Sequence, residues 1–311
     1  MNNPILFLVF NRPETTKRVF QSIRNAKPAK LYISADGPRR NRPNDKLLCN
    51  KVKKIVTKID WPCEIKTLFR DQNQGCKKAV SSGIDWFFKN EDQGIILEDD
   101  ILPLPGFFSY CDELLELYKD DNRVAMISGY NPISKRLYSK ESYFFTHYGN
   151  IWGWATWRRA WQHYDVNMLE WPKWRDSRGL NSISDNTRFF EAYWKDYNNA
   201  IYDNKIDTWD FQWYFTCWRI NGLCITPKNN QTNNLGFDGN ATHTFGKAPD
   251  FVIESEPEPL DFPLLHPVNI ERNKAADKLI SRRVFRISLM TIIKNKIRRI
   301  PMIGDFAARI K

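Results

Sequence analysis

The sequence predicts an α/β fold with a mostly parallel central sheet flanked by helices. Three features point that way. Short apolar runs recur along the first part of the chain, several of them end in acidic or turn-forming residues, and each is followed by a segment with helical periodicity. Strands that alternate with helices in this rhythm build βαβ units, and ligands in such sheets bind beyond the carboxyl ends of the strands.

The elements follow in order. Pro4 to Phe10 is a continuous apolar run and suits a strand buried on both faces. Thr15 to Asn25 places Val19, Phe20 and Ile23 on one side of a helix that Pro28 closes. Leu31 to Ser34 is a second strand, ending at Ala35-Asp36-Gly37-Pro38. A polar, Pro-bearing loop precedes a helix over Leu47 to Ile59 and a third strand over Cys63 to Phe69. After the turn Asp71 to Gly75, a helix over Lys77 to Lys89 turns Ala79, Val80, Ile84, Phe87 and Phe88 inward. Gly94 to Leu97 is a fourth strand and runs directly into Glu98-Asp99-Asp100. A helix over Gly106 to Tyr118 and a fifth strand over Val124 to Ser128 complete the regular part.

From about Ser142 the rhythm breaks. Trp152-Gly153-Trp154 and Trp157 lie in an aromatic stretch, helices are expected over Arg188 to Asn204 and Asp210 to Asn221, and a strand over Gly222 to Thr226. Asn229 to Gly246 reads as a long loop. The expected organisation is a catalytic domain over 1–253, a Pro-rich linker over 254–274 and a basic amphipathic helical tail over 275–311.

Net charge is +11, and the seven Lys or Arg between Arg282 and Arg299, with no acid among them, locate much of that excess in the tail. A basic tail favours an anionic membrane surface, with packing on the domain as the competing reading. Six scattered cysteines make no CxxC pair and suggest reduced thiols. The apolar start lacks a basic flank and is too short to span a bilayer, so it reads as a strand, not a signal peptide. The expected location is the cytoplasm, extending to peripheral attachment at the cytoplasmic membrane face.

Four motifs carry chemistry. Adjacent carboxylates after a buried strand are costly to desolvate unless a cation compensates, and Glu98-Asp99-Asp100 suits Mn²⁺ or Mg²⁺ together with substrate phosphates. Asp36 can accept a hydrogen bond from a base or ribose, or simply form an Asp-Gly turn. Asp210, beside Trp209, is a helix N-cap or a general base toward an acceptor hydroxyl. The polar, Gly-bearing loop Asn233 to His243 has the length of a functional lid, and His243 is a further metal ligand, a phosphate contact or an exposed loop residue.

Taken together, the order NRPE, SADG, a helix after NQG, LEDDI followed by FF and Tyr, GWATW, Trp-Asp and NNLGFDGNATH resembles the GT-A glycosyltransferases over residues 4 to 246. Within them it is most similar to the inverting N-acetylglucosaminyltransferases and their bacterial relatives. The resemblance implies a GT-A fold and transfer from a nucleotide-sugar donor, UDP-linked, to a saccharide or lipid-linked saccharide. It also implies roles. Asp100 would ligate the metal, Glu98 and Asp99 would contact donor sugar and ribose, Asp36 would meet the uracil, and Arg12 and Lys77 would lie by the nucleotide. Asp210 would be the base, giving inversion. Two alternatives stay open. A sugar nucleotidyltransferase would want a Gly-rich triphosphate loop where Asn11-Arg12-Pro13-Glu14 stands. A non-enzymatic membrane or nucleic-acid binder would have no need of the acid triplet, and no specific nucleic acid is expected as a partner.

Overall fold

The computed structural model describes residues 1–184, 188–237, 249–253 and 255–285. Its first half is the expected alternation. β1 (Ile5–Val9) is followed by α1 (Pro13–Ala26), β2 (Lys30–Ala35), α2 (Asp45–Val56), β3 (Glu64–Phe69) and α3 (Cys76–Asn90). Next come β4 (Gln93–Glu98), the short β5 (Ile101–Pro103), α4 (Pro105–Leu117) and β6 (Val124–Ser128). Local chemistry sets the boundaries. Pro13 and Pro105 occupy first-turn positions, where a missing N–H costs nothing. In α1, Thr16, Val19, Phe20 and Ile23 form the buried stripe at helical spacing.

The second half departs from the simple rhythm. β7 (Tyr143–Thr146) and β8 (Trp154–Trp157) precede the short helices α5 (Arg158–Trp161), α6 (Trp171–Asp176) and α7 (Gly179–Ser184). α8 (Arg188–Tyr202), α9 (Asp210–Arg219), β9 (Leu223–Pro227), β10 (Thr232–Asn234), α10 (Asp250–Ile253) and α11 (Lys274–Arg283) follow. Eight strands form one sheet in the order β3-β2-β1-β4-β8-β6-β9-β7, and β10 pairs with β5 in a second, two-stranded sheet. Strands β3, β2, β1 and β4 are mutually parallel, as is the β6–β9 pair. β8 is antiparallel to both β4 and β6, and β7 to β9. The Trp-rich GWATW stretch is therefore a buried strand in the middle of the sheet. It reads poorly as a strand from sequence because it lacks alternation, and a strand covered on both faces needs none.

Helices cover both faces. One core joins β1, β2 and β4 to α1, α2 and α4, and a second puts Ile84, Phe87 and Phe88 of α3 against Leu6, Leu8 and Ile96. A third, aromatic cluster gathers Trp171, Trp194, Phe215 and Trp218 around α6 to α9. Most of the tryptophans are thus core residues. Residues 255–273, expected as a linker, run along the body and bury Leu260 and Leu264 in the first core. The start of the expected tail is α11, which packs on the domain through Ala276 and Ile280. Asn273 caps it by accepting from Ala276 N at 3.0 Å, and Asp277, buried, accepts from the His147 backbone N–H at 3.1 Å and from Arg272. Residues 286–311 of the tail lie outside the described residues. Among the described residues no helix is long and apolar enough to cross a membrane.

Trp154 is the keystone of the second core, fully buried with Trp161, Trp209 and Trp213 around it at ring separations of 5.8 to 6.1 Å. Trp154→Ala is expected to cost about 3–5 kcal/mol of unfolding free energy in a urea titration. A loss below about 1 kcal/mol would contradict that packing role.

Candidate active site

A cavity of about 660 Å³ opens where β1, β2, β3 and β4 end, a size typical of small-molecule sites. Each parallel strand delivers residues to it: Phe10 and Arg12 after β1, Asp36 after β2, Arg70 after β3, and Glu98 to Asp100 at β4. Further lining comes from the α8–α9 region, with Tyr197 and the run Ile206 to Phe211. Segments far apart in sequence therefore converge because parallel strands end at one edge.

The acid triplet is organised by Arg12. Its guanidinium forks across two carboxylates, donating to Asp99 and, at 2.8 Å, to Asp100 Oδ2. Asp99 is only 2% exposed and also accepts from Phe10 N at 3.1 Å. Burial works against the Arg12 charge, but the two aspartates outweigh it and raise its pKa. Asp99 is pushed upward by burial and by Asp100, with Arg12 opposing. Glu98 is pushed up to about 8, by burial first and then by Asp100, with Arg12 opposing and Asp99 and Asp210 adding. Asp210 lines the same cavity and is near enough to add to that upward push.

Asp36 is differently employed. Its Oδ1 accepts from Gly37 N at 2.8 Å and Gln74 N at 3.0 Å, and its Oδ2 from the Asn73 amide at 2.8 Å and Gln74 N at 3.2 Å. Three N–H donors, one of them shared between both oxygens, hold the carboxylate. Asp36, expected at the uracil, thus ties the turn after β2 to the turn before α3. Gly37 lies so close to the Gln72 backbone that a Cβ there would overlap it. Three residues that sequence reasoning missed flank this end. Arg70 donates to Ser34 Oγ at 3.0 Å and Ser82 Oγ at 2.8 Å, and Arg39 pairs with Asp45 and lies over the Phe10 ring. Asn73 is the third; it lies in the NQG turn, while no sequence motif marks Arg39 or Arg70.

Asp210 opens α9, where the helix dipole favours a carboxylate, and accepts from the Thr208 hydroxyl. Trp209 is buried, stacks on Trp154 and accepts from Tyr164 Oη at 3.0 Å through its carbonyl, which fixes the entry to the helix. Tyr197 and Phe211 stand beside it with ring centroids 4.4 Å apart.

The start of the expected lid grips the acid turn. β10 pairs with β5, Leu235 N donates to the Asp100 carbonyl at 2.7 Å, and Phe237 packs edge-on to Trp152. A Cβ on Gly236 would overlap Asp100 Oδ2 and force that carboxylate to shift. His243 lies outside the described residues. Lys77 does not line the cavity, and its ammonium donates to Asn204 Oδ1 at 3.3 Å. It sits in the first turn of α3.

Among the described residues no three His, Cys, Asp or Glu side chains form a metal cage. A cation of the Mg²⁺ or Mn²⁺ type needs none, since one or two carboxylates and substrate phosphates suffice. The donor set fits: only hard oxygens, with one guanidinium set against three adjacent acids. No family model and no curated protein matches the chain. Among solved structures, a UDP-glucose pyrophosphorylase complexed with UDP-glucose aligns at 11% identity over 52% of this chain and 79% of that one, with a TM-score of 0.32. HddC from Yersinia pseudotuberculosis aligns at 8% identity over 52% and 80%, with a TM-score of 0.31. Likeness this distant carries no inference about activity.

The raised Glu98 pKa sets a pH test. Its folded value lies above the ordinary carboxylate value of 4.5, so the folded state holds the proton more tightly, and stability falls as pH rises from there to about 8. Glu98→Gln mimics the protonated form. Its melting temperature should match wild type at pH 5 and exceed it by several degrees above pH 8. A difference independent of pH would refute the assignment.

Proposed function

We propose that the chain is a metal-dependent glycosyltransferase that moves a sugar from a UDP-linked donor to a hydroxyl of a saccharide or lipid-linked saccharide, with inversion. One observation carries the reading: Asp210 and the acid triplet, two of whose members Arg12 holds, line a single cavity at the carboxyl edge of the parallel strands. An in-line displacement needs both, with a base on one side of the anomeric carbon and stabilisation of a leaving diphosphate on the other.

In this reading Arg12 and Arg39 attract the nucleoside diphosphate, while Asp36 acts by holding the two turns that shape the nucleotide end. Asp100 would hold the cation, with Asp99 in support. Such a cation supplies Lewis-acid neutralisation of charge on the departing diphosphate. Glu98 faces the donor sugar. Asp210 accepts the proton of the acceptor hydroxyl as its oxygen bonds to the anomeric carbon and the bond to the diphosphate oxygen breaks. Tyr197 and Phe211 offer the acceptor sugar apolar faces.

The sugar nucleotidyltransferase reading is an outcome of the same assay. β1 passes to α1 through Phe10-Asn11-Arg12, with no glycine to let a backbone wrap a triphosphate. Reactions with UDP-sugars, Mn²⁺ and a saccharide panel should release UDP. Pyrophosphate released from UTP and a sugar 1-phosphate would instead establish nucleotidyl transfer. Asp210→Asn should lower transfer by about 100-fold or more while keeping cation-dependent donor binding, measured as a thermal shift. Asp100→Ala should abolish the cation-dependent part of that shift. Normal turnover in Asp210→Asn, or an undiminished cation effect in Asp100→Ala, would remove those roles.

A further inference from the structure

Residues 10–60 hold fourteen of the chain's Lys and Arg but only four of its Asp and Glu, a net +10 within a chain of +11. The tail is therefore only part of the basic character, and the remainder of the body is acidic. The structure gathers this excess. α1 and α2 lie side by side over one face of the sheet, with their apolar stripes, Val19, Phe20, Ile23, Val52 and Val56, in the first core. Their outer surfaces expose Lys17, Arg18, Lys46, Lys51 and Lys54, and Lys58 follows just beyond α2. Among the described residues none of these six forms an ion pair. Two of the segment's four acids are neutralised locally, Asp45 by Arg39 and Asp60 by Arg24.

We propose that the outer face of α1 and α2 is a docking surface for an anionic lipid bilayer. A cluster of this size, mostly lysines, creates a positive potential that an anionic headgroup layer complements without defined pockets. Leu47 favours lipid over nucleic acid. It is 58% exposed among Lys46, Lys51 and Lys54, where an apolar side chain gains by entering the headgroup region. No aromatic ring stands exposed in this segment to stack on bases. The face adjoins the cavity through the first turn of α2, where Asp45 holds Arg39 on the cavity rim. A docked protein thus holds that rim close to the headgroups. The proposal is independent of the transfer reading.

The test is sedimentation of the full chain with phosphatidylcholine vesicles, with and without phosphatidylserine. Wild type should bind only the anionic vesicles, and less as salt rises. Lys46→Glu/Lys51→Glu/Lys54→Glu should lower the affinity by about 10-fold or more. Lys17→Glu/Arg18→Glu, on the other helix, should shift it in the same direction. Both variants change exposed residues, and unchanged melting temperatures would exclude misfolding. Wild-type binding by both variants, equal binding to neutral vesicles, or no binding by wild type would overturn the proposal. So would tighter, patch-dependent binding to a mixed-sequence DNA duplex. A chain with Arg286, Lys294, Lys296, Arg298 and Arg299 changed to Gln should keep most of its binding, and complete loss there would move the surface to the tail.

Discussion

The fork from Arg12 to Asp99 and Asp100 is the interaction on which the site depends. Three adjacent acids at the end of a buried strand would repel one another and lose hydration, a cost of several kcal/mol per unpaired ion. One guanidinium satisfies two of them and also fixes where β1 hands over to α1. It leaves Glu98 without a hydrogen bond from that guanidinium, and burial, followed by the neighbouring Asp100, pushes its pKa up to about 8. The arrangement is charged toward further positive charge. A divalent cation bound with a diphosphate adds two charges of each sign, and Arg12 remains to meet the anionic part.

Around this point the fold works as a frame. The parallel strands deliver Arg12, Asp36, Arg70 and the acid turn to one edge, while the stacked Trp154 and Trp209 fix the start of α9, where Asp210 lines the same cavity. β10 then clamps the acid turn from outside by pairing with β5. The cavity lining is consequently mixed, with Arg12, Arg39 and Arg70 beside the acid turn and Asp207, Asp210, Tyr197 and Phe211 from the α8–α9 region. Site geometry of this kind needs rigid supports, and here each support is a buried strand end or a packed tryptophan.

Much of this could be read from the amino acids. The regular βα alternation up to Ser128, the end of β4 in acids, and the helix opening at Asp210 are visible because buried runs, turn residues and caps act locally. The central strand β8 was hidden, since Trp154 to Trp157 has no period and its place beside β4 is a matter of long-range pairing. Asp36 illustrates the same limit at the site. Its position at a strand end was evident, but two of its three donors come from the turn at Asn73 and Gln74, which sequence separation conceals. Arg39 and Arg70 carry no motif at all. The packing of α11 was one of two open readings of the tail, and Asp277, buried with Arg272, is the contact that favours it for the described part.

The central claim is that the acid turn and a bound diphosphate jointly hold a cation. Electron paramagnetic resonance of Mn²⁺ titrated with the protein, with and without UDP, tests it most directly. The account predicts weak Mn²⁺ binding by the protein alone and about 10-fold or more tighter binding when UDP is present, because phosphate oxygens complete the coordination. Mn²⁺ binding that UDP leaves unchanged, beyond the weak affinity of Mn²⁺ for UDP itself, would contradict it.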